Sequence, residues 1–307
     1  MMVSILVPVY NAAPYLGECV ASLTRQTYTD LQIVLINDGS TDNSMDVLKE
    51  LSRNDGRIEV YSQPNRGVAT TRSHLLDKAK GDFVLFVDSD DWIELDTVQR
   101  LVDEQARGDY DIVSFQMNTP AVDDDRQSDR TSVVQLFLEH VTFRGSLCDK
   151  LIRRELFKGV EIDQTVSYGE DAFIVWQVLL KARRVSVLKD VFYHYTVNEN
   201  SLSRQRFNGK KFSAYTTWER ICADTDETWP QFSDVAHARF ACEMTQILRD
   251  AAGSGYPHNS NVRLLQEQVR RNGHLIGKTG ISSWKMSAYA WLVSHNYWLA
   301  GRFAHLT

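Results

Sequence analysis

Several absences narrow the reading of these 307 residues before any motif is weighed. The four cysteines (Cys19, Cys148, Cys222 and Cys242) form no close pair. Their spacing excludes a zinc knuckle and a disulfide framework, and it fits a reducing, cytoplasmic compartment. No apolar run is long enough to cross a bilayer. The N-terminus enters an apolar strand almost at once, without the basic lead and cleavage site of a secretory signal. Neither GxGxxG nor GxxxxGK followed by Ser or Thr occurs, so dinucleotide-binding and P-loop readings lack their phosphate loops. Basic charge is also short: the formal net charge of −6 argues against nucleic acid as the main partner.

What is present is an ordinary globular composition, 43% hydrophobic and 24% charged. The length suits one large core with a smaller appended unit. Charge is unevenly placed. From Arg263 onward six Lys/Arg face the single acid Glu267, an asymmetry that points the C-terminal segment toward an anionic surface.

Apolar runs alternate with helical patterns through the first half. Strands are expected at residues 3–9, 31–36, 58–61 and 84–87, with helices between them and a helix over residues 69–79. This alternation means right-handed βαβ units and a mainly parallel sheet flanked by helices. A further strand is expected at residues 111–117, an exposed loop at 121–130, a helix at 133–140 and a late strand at 185–193. Residues 149–157 read as a basic, amphipathic stretch, whose Lys150 and arginines would form a solvated helix face.

The chemistry gathers at strand ends. Val84-Leu85-Phe86-Val87 runs directly into Asp88-Ser89-Asp90-Asp91. Acids clustered there repel one another, and a divalent cation with oxygen ligands would neutralise them. The plainer alternative is an acidic turn whose Asp90 or Asp91 caps a helix over residues 92–100. Tyr10-Asn11 and Asn37-Asp38 leave the ends of two other strands, and in a parallel sheet all three loops share a rim. There Asp38 could accept from a pyrimidine N–H or a ribose hydroxyl, and Arg72 could face phosphate. Downstream, Gly169-Glu170-Asp171 opens an apolar helix, where two acids would also suit the helix dipole.

Taken in order, Val7-Pro8-Val9-Tyr10-Asn11, Asn37-Asp38-Gly39-Ser40-Thr41-Asp42, Asn65-Arg66-Gly67-Val68, Asp88-Ser89-Asp90-Asp91 and Gly169-Glu170-Asp171 resemble the family 2 glycosyltransferases of the GT-A fold. The similarity runs from about residue 3 to 204. It implies a catalytic domain over residues 1–205 and a helical C-terminal region over 206–307. It implies further that Pro8, Tyr10, Asn11, Asp38, Asn65, Arg72 and Asp88 hold the donor nucleotide, with Asp38 facing uracil. Asp90, with Asp88, would hold Mn²⁺ or Mg²⁺, and His194 would complete the metal shell; a structural histidine is the alternative there. Asp171 would be the catalytic base, and Glu170, Trp92 and Lys150 would lie on the acceptor side. Thr71-Arg72-Ser73-His74 departs from the Ala-Arg-Asn usual after the Gly67-type loop.

The resemblance implies an inverting transfer from a UDP-sugar to a glycan or lipid-linked oligosaccharide, in bacterial surface-polysaccharide assembly at the inner face of the membrane. A sugar-nucleotide nucleotidyltransferase and a non-catalytic nucleotide- or sugar-binding module are the alternatives. Beyond residue 206 the pattern is helical. Its last segment, 282–305, carries Trp284, Tyr289, Trp291, Tyr297 and Trp298 with Lys285 and Arg302. This mixture suits a membrane interface, a second subunit or the catalytic domain itself.

Overall fold

A run of Val, Ile and Leu interrupted only by Ser4 and Pro8 makes β1 (Val3–Val9) a strand covered on both faces, with Ile5, Leu6 and Val7 fully buried. Around it, in the computed structural model, lie α1 (Leu16–Thr24), β2 (Leu31–Asp38), α2 (Ser44–Ser52), β3 (Ile58–Gln63), α3 (Val68–Lys78) and β4 (Phe83–Phe86). The structure describes residues 1–118, 126–139, 143–196 and 207–304. Strands β3, β2, β1 and β4 are parallel neighbours in that order, as the alternation predicts.

Past β4 the chain forms β5 (Trp92–Ile93), α4 (Thr97–Gly108), β6 (Ile112–Met117), β7 (Arg126–Asp129), α5 (Arg130–Glu139), β8 (Lys150–Arg153), α6 (Glu170–Lys181) and β9 (Arg184–His194). Here the sheet becomes mixed. Its order is β3-β2-β1-β4-β8-β6-β9-β5, with β7 also on β9. β8 runs antiparallel to both β4 and β6, whereas β6 and β9 are parallel.

Three expectations are corrected in this half. The basic stretch at 149–157 is not a solvated helix face: β8 is a central strand with Leu151 and Ile152 fully buried. Two apolar residues flanked by cations fit either period. The exposed loop expected at 121–130 lies outside the described residues up to 125, and Arg126–Asp129 is strand, paired antiparallel with β9. The helix expected at 92–100 begins only at Thr97, because Trp92–Ile93 pairs with β9 first.

The chain divides into two compact units, Met1–Gln164 with Ile174–Asn198, and Thr165–Phe173 with Glu199–Thr307. The second contains the first residues of α6 and then α7 (Ala214–Thr228), α8 (Ser233–Gly253), α9 (Ser260–Thr279), α10 (Trp284–His295) and α11 (Tyr297–Gly301). Its core includes Phe240, Met244, Leu248, Val262, Leu265 and Ile276. The single segment expected over 282–305 breaks at Asn296, whose side chain caps α11 by accepting from the Leu299 N–H at 3.0 Å. Among the described residues no helix is long and apolar enough to cross a membrane.

Candidate active site

The parallel strands end together. Register pairs Val9 with Asn37 and Asp38 with Gln63, and β4 pairs Phe86 with Leu6 of β1. The loops after β1, β2, β3 and β4 therefore leave one rim, the edge at which open α/β sheets take their ligands. Pro8 lies within the end of β1, and Tyr10 beyond it is 51% exposed.

The recognisable motifs tie these loops to one another. Asn11, in the left-handed region at φ 50°, accepts with Oδ1 from the Thr41 N–H at 2.8 Å. Its own N–H donates to Ser40 Oγ at 3.0 Å. Asp38 is buried and accepts from the Arg66 N–H and the Gly67 N–H, each at 2.9 Å, and from Gln63 Nε2 at 2.8 Å. It thus fixes the exposed loop that carries Asn65. Gly39 makes that approach feasible: at φ +68° a Cβ would lie 2.6 Å from the Asn65 nitrogen.

Thr71 and His74, where the sequence leaves the family pattern, join the same network. Thr71 Oγ1 accepts from Gln63 Nε2 at 3.1 Å, and His74 Nδ1 faces Gln63 Oε1. The arginine between them, Arg72, is buried, and its guanidinium lies 3.7 Å from Asp88 Oδ1.

The acids after β4 separate by burial. Asp88 and Asp90 are half-buried at the rim, whereas Asp91 turns inward and is 1% exposed. Asp91 is not a helix cap. It accepts from the buried Tyr193 hydroxyl at 2.6 Å and from the Thr196 N–H at 2.8 Å. That same hydroxyl accepts from the Asp88 N–H at 3.0 Å. Burial first, and then the charges of Asp88 and Asp90, push the Asp91 carboxyl up to about 7, against the lowering effect of its two hydrogen bonds. Below the turn, Cys19 Sγ donates to the Asp88 carbonyl at 3.6 Å. Burial, followed by Asp91, Asp88 and Asp90, raises this thiol far above its ordinary range, so it stays protonated.

Two expected residues sit differently. His194 stacks on Trp92 with ring centroids 3.7 Å apart, and its Nε2 lies 2.7 Å from Glu94 Oε1. It is engaged by a carboxylate rather than grouped with Asp88 and Asp90: among the described residues no three His, Cys, Asp or Glu form a metal-ligand cluster. Lys150 is fully buried. Its ammonium donates to the Arg144 and Ser146 carbonyls at 2.7 and 2.8 Å and to Asp149 Oδ1 at 2.5 Å. It cannot reach an acceptor, because a lysine in a central strand must find its oxygens inside. Arg153, next in that stretch, is likewise committed to Asp111 and Asp109, each at 2.8 Å.

In the second unit, Glu170 and Asp171 are half-buried in the first turn of α6. The loop before them is held by Ser213, whose hydroxyl accepts from the Ser167 and Tyr168 N–H groups, both at 3.1 Å. Gly169 is left-handed at φ +81°.

The donor set fits a hard divalent ion. Asp88 and Asp90 are half-buried acids of one turn, and Asp91 is withdrawn into the interior. Mg²⁺ and Mn²⁺ sites of this kind are commonly completed by substrate phosphates and water.

Residues 4–161 match the family described as Glycosyl transferase family 2. The uncharacterised glycosyltransferase EpsJ of Bacillus subtilis (strain 168) is 34% identical over 222 residues, 66% of this chain but 63% of EpsJ, so the match spans less than two thirds of that relative. Among solved structures, S. aureus TarS 1–349 in complex with UDP superposes with a TM-score of 0.67 at 19% identity, covering 100% of this chain and 92% of that one. The mannosyltransferase PcManGT from Pyrobaculum calidifontis, in complex with GDP-Man and Mn2+, gives 0.60 at 18% identity over 97% and 86%. At these identities the structures speak for the fold, and the matched family speaks for descent. With the loops after β1 to β4 leaving one strand-end rim, the chain belongs to glycosyltransferase family 2 and has the GT-A fold.

Proposed function

We propose that this glycosyltransferase is inverting and metal-dependent, and moves a sugar from a UDP-sugar to a hydroxyl of a glycan or lipid-linked glycan in bacterial surface-polysaccharide synthesis. One observation supports the reading: the strand ends that carry Tyr10, Asp38 and the Asp88–Asp90 turn share one sheet edge, and Arg72 lies 3.7 Å from Asp88 there. The UDP bound to TarS and the GDP-Man and Mn2+ bound to PcManGT support it by analogy of fold. In this reading residues 1–205 form the catalytic domain and 206–307 a helical C-terminal region.

Tyr10, open to solvent, and Pro8 receive the base and ribose. Asp38 fixes the Asn65–Gly67 loop and turns its remaining acceptor capacity toward the uracil N–H. Asn11 holds the adjoining loop in place. Asp88 accepts from a ribose hydroxyl, and Arg72 beside it sets positive charge against the diphosphate. Asp90, helped by Asp88, would hold Mn²⁺ or Mg²⁺, which when bound supplies Lewis-acid charge at the diphosphate leaving group.

The acceptor hydroxyl attacks C1 of the sugar, the bond from C1 to the phosphate oxygen breaks, and UDP departs. Asp171 takes the acceptor proton, which requires its carboxylate within hydrogen-bond reach of that hydroxyl. One in-line displacement inverts the anomeric centre. Glu170 and Trp92 belong to the acceptor side.

Incubating the protein with a panel of UDP-sugars and Mn²⁺ tests this directly. The expected result is slow UDP release from one of them, abolished by EDTA and restored by added metal. Pyrophosphate release from UTP and a sugar 1-phosphate, with no UDP release from any donor, would overturn it.

A further inference from the structure

Helix α10 is apolar on both sides, yet only one side is covered. Its inner face is pinned within the helical unit: Tyr289, Ala290 and Val293 are buried, Gln266 Nε2 donates to the Val293 carbonyl at 2.8 Å, and Arg270 Nε donates to the Ser294 carbonyl at 2.9 Å. Helix α11 is fixed in the same way. The Tyr289 hydroxyl donates to the Ala300 carbonyl at 3.1 Å, and the Tyr297 hydroxyl to the Tyr256 carbonyl at 3.0 Å. A helix apolar all round is ordinarily buried all round.

Away from these contacts, α10 exposes Trp284 at 77% and Trp291 at 66%, α11 exposes Trp298 at 60% and Leu299 at 39%, and Phe303 just beyond it is 41% exposed. Trp284 and Trp291 are seven residues apart on α10, which in a helix returns to the same side after two turns, and past the break at Asn296 Trp298 is exposed on α11. Apolar side chains grouped in this way mark a surface meant to be covered.

Charge identifies the cover. No Asp or Glu occurs between Gln268 and Thr307, whereas Arg270, Arg271, Lys278, Lys285 and Arg302 do. Lys285 is exposed on α10 beside Trp284, and Arg302 is exposed at the C-terminal cap of α11. A second copy of the chain would set these cations against their own equivalents with no acid on either helix to neutralise them. A sheet of anionic lipid headgroups offers the opposite charge, and indoles beside Lys and Arg are the side chains that settle at headgroup depth. We propose that the outer face of α10 and α11 docks on an anionic lipid surface, with Trp284, Trp291 and Trp298 entering the interface and Lys285 and Arg302 facing the headgroups. The helices lie on the bilayer and do not span it. The proposal rests on this face alone and not on the transfer reaction.

The test uses the full chain and sedimentation with vesicles of phosphatidylcholine, with or without phosphatidylglycerol. The protein should sediment with the phosphatidylglycerol vesicles, and its tryptophan emission should be quenched by brominated acyl chains. Combining Trp284→Ser, Trp291→Ser and Trp298→Ser should weaken partitioning at least about tenfold. Lys285→Gln and Arg302→Gln should each weaken it about fivefold. Because all five side chains are exposed, circular dichroism and melting should stay as in the parent. Three results would overturn the proposal: failure of the parent to sediment with anionic vesicles, unchanged binding by the triple variant, or a concentration-dependent dimer that the triple variant dissolves.

Discussion

The Tyr193 hydroxyl gives neighbouring acids different work. By accepting from the Asp88 N–H and donating to Asp91, it keeps one carboxylate at the rim and holds the other inside. Tyr193→Phe strands both partners in a buried place, at a cost of about 1–3 kcal/mol. At roughly 2–4 °C per kcal/mol for a chain of this size, calorimetry should record a melting point several degrees lower; an unchanged one would mean that water serves both groups. Asp91 adds a pH signature. Its carboxyl is raised to about 7 in the folded protein, against about 3.9 unfolded. The folded state therefore binds more protons across that window. The stability so contributed is complete below about pH 4 and is lost as pH climbs to 7. Asp91→Asn should remove this slope, read as the difference between parent and variant in urea unfolding across the window. Parallel curves would refute the assignment. Asp88 and Asp90 were legible as rim acids because an apolar run ends in them. The inward turn of Asp91 was not, since its partner lies 102 residues later.

Among the elements, β1 to β4 were readable because each is an apolar run separated from the next by a helical pattern. β8 was not. Lys150 and Arg153 bracket only two apolar residues, and nothing local reveals that the strand fills the gap between β4 and β6. Its buried lysine makes a prediction at this scale. Lys150→Met leaves the Asp149 carboxylate, 2% exposed, without its partner. Breaking a buried pair from one side costs about 3–5 kcal/mol, measurable by urea denaturation. Adding Asp149→Leu should recover much of that loss, and a single variant as stable as the parent would show the pair to be dispensable. The loop ties are likewise invisible from spacing. Asp38 and Asn11 were legible as residues of the strand-end loops, but the N–H groups they hold, at Gly67 and Thr41, follow from loop closure alone.

At the scale of the molecule, Asp88 and Asp90 belong to one compact unit and Asp171 to the other. If Asp171 is the base, Asp171→Asn should lower transfer by about 10²–10⁴-fold while calorimetric affinity for UDP with Mn²⁺ stays within about twofold of the parent. A large loss of affinity would mean that the residue belongs to donor binding. The closing of the Asp88–Asp91 turn by Tyr193 and Thr196 also sets an order on synthesis. The first four strands are complete by Phe86, but the partners of Asp91 emerge from the ribosome 102 and 105 residues after it. At about 5–20 residues per second, a nascent chain spends roughly 5–20 s with its first four strands made and its acidic turn still unlatched.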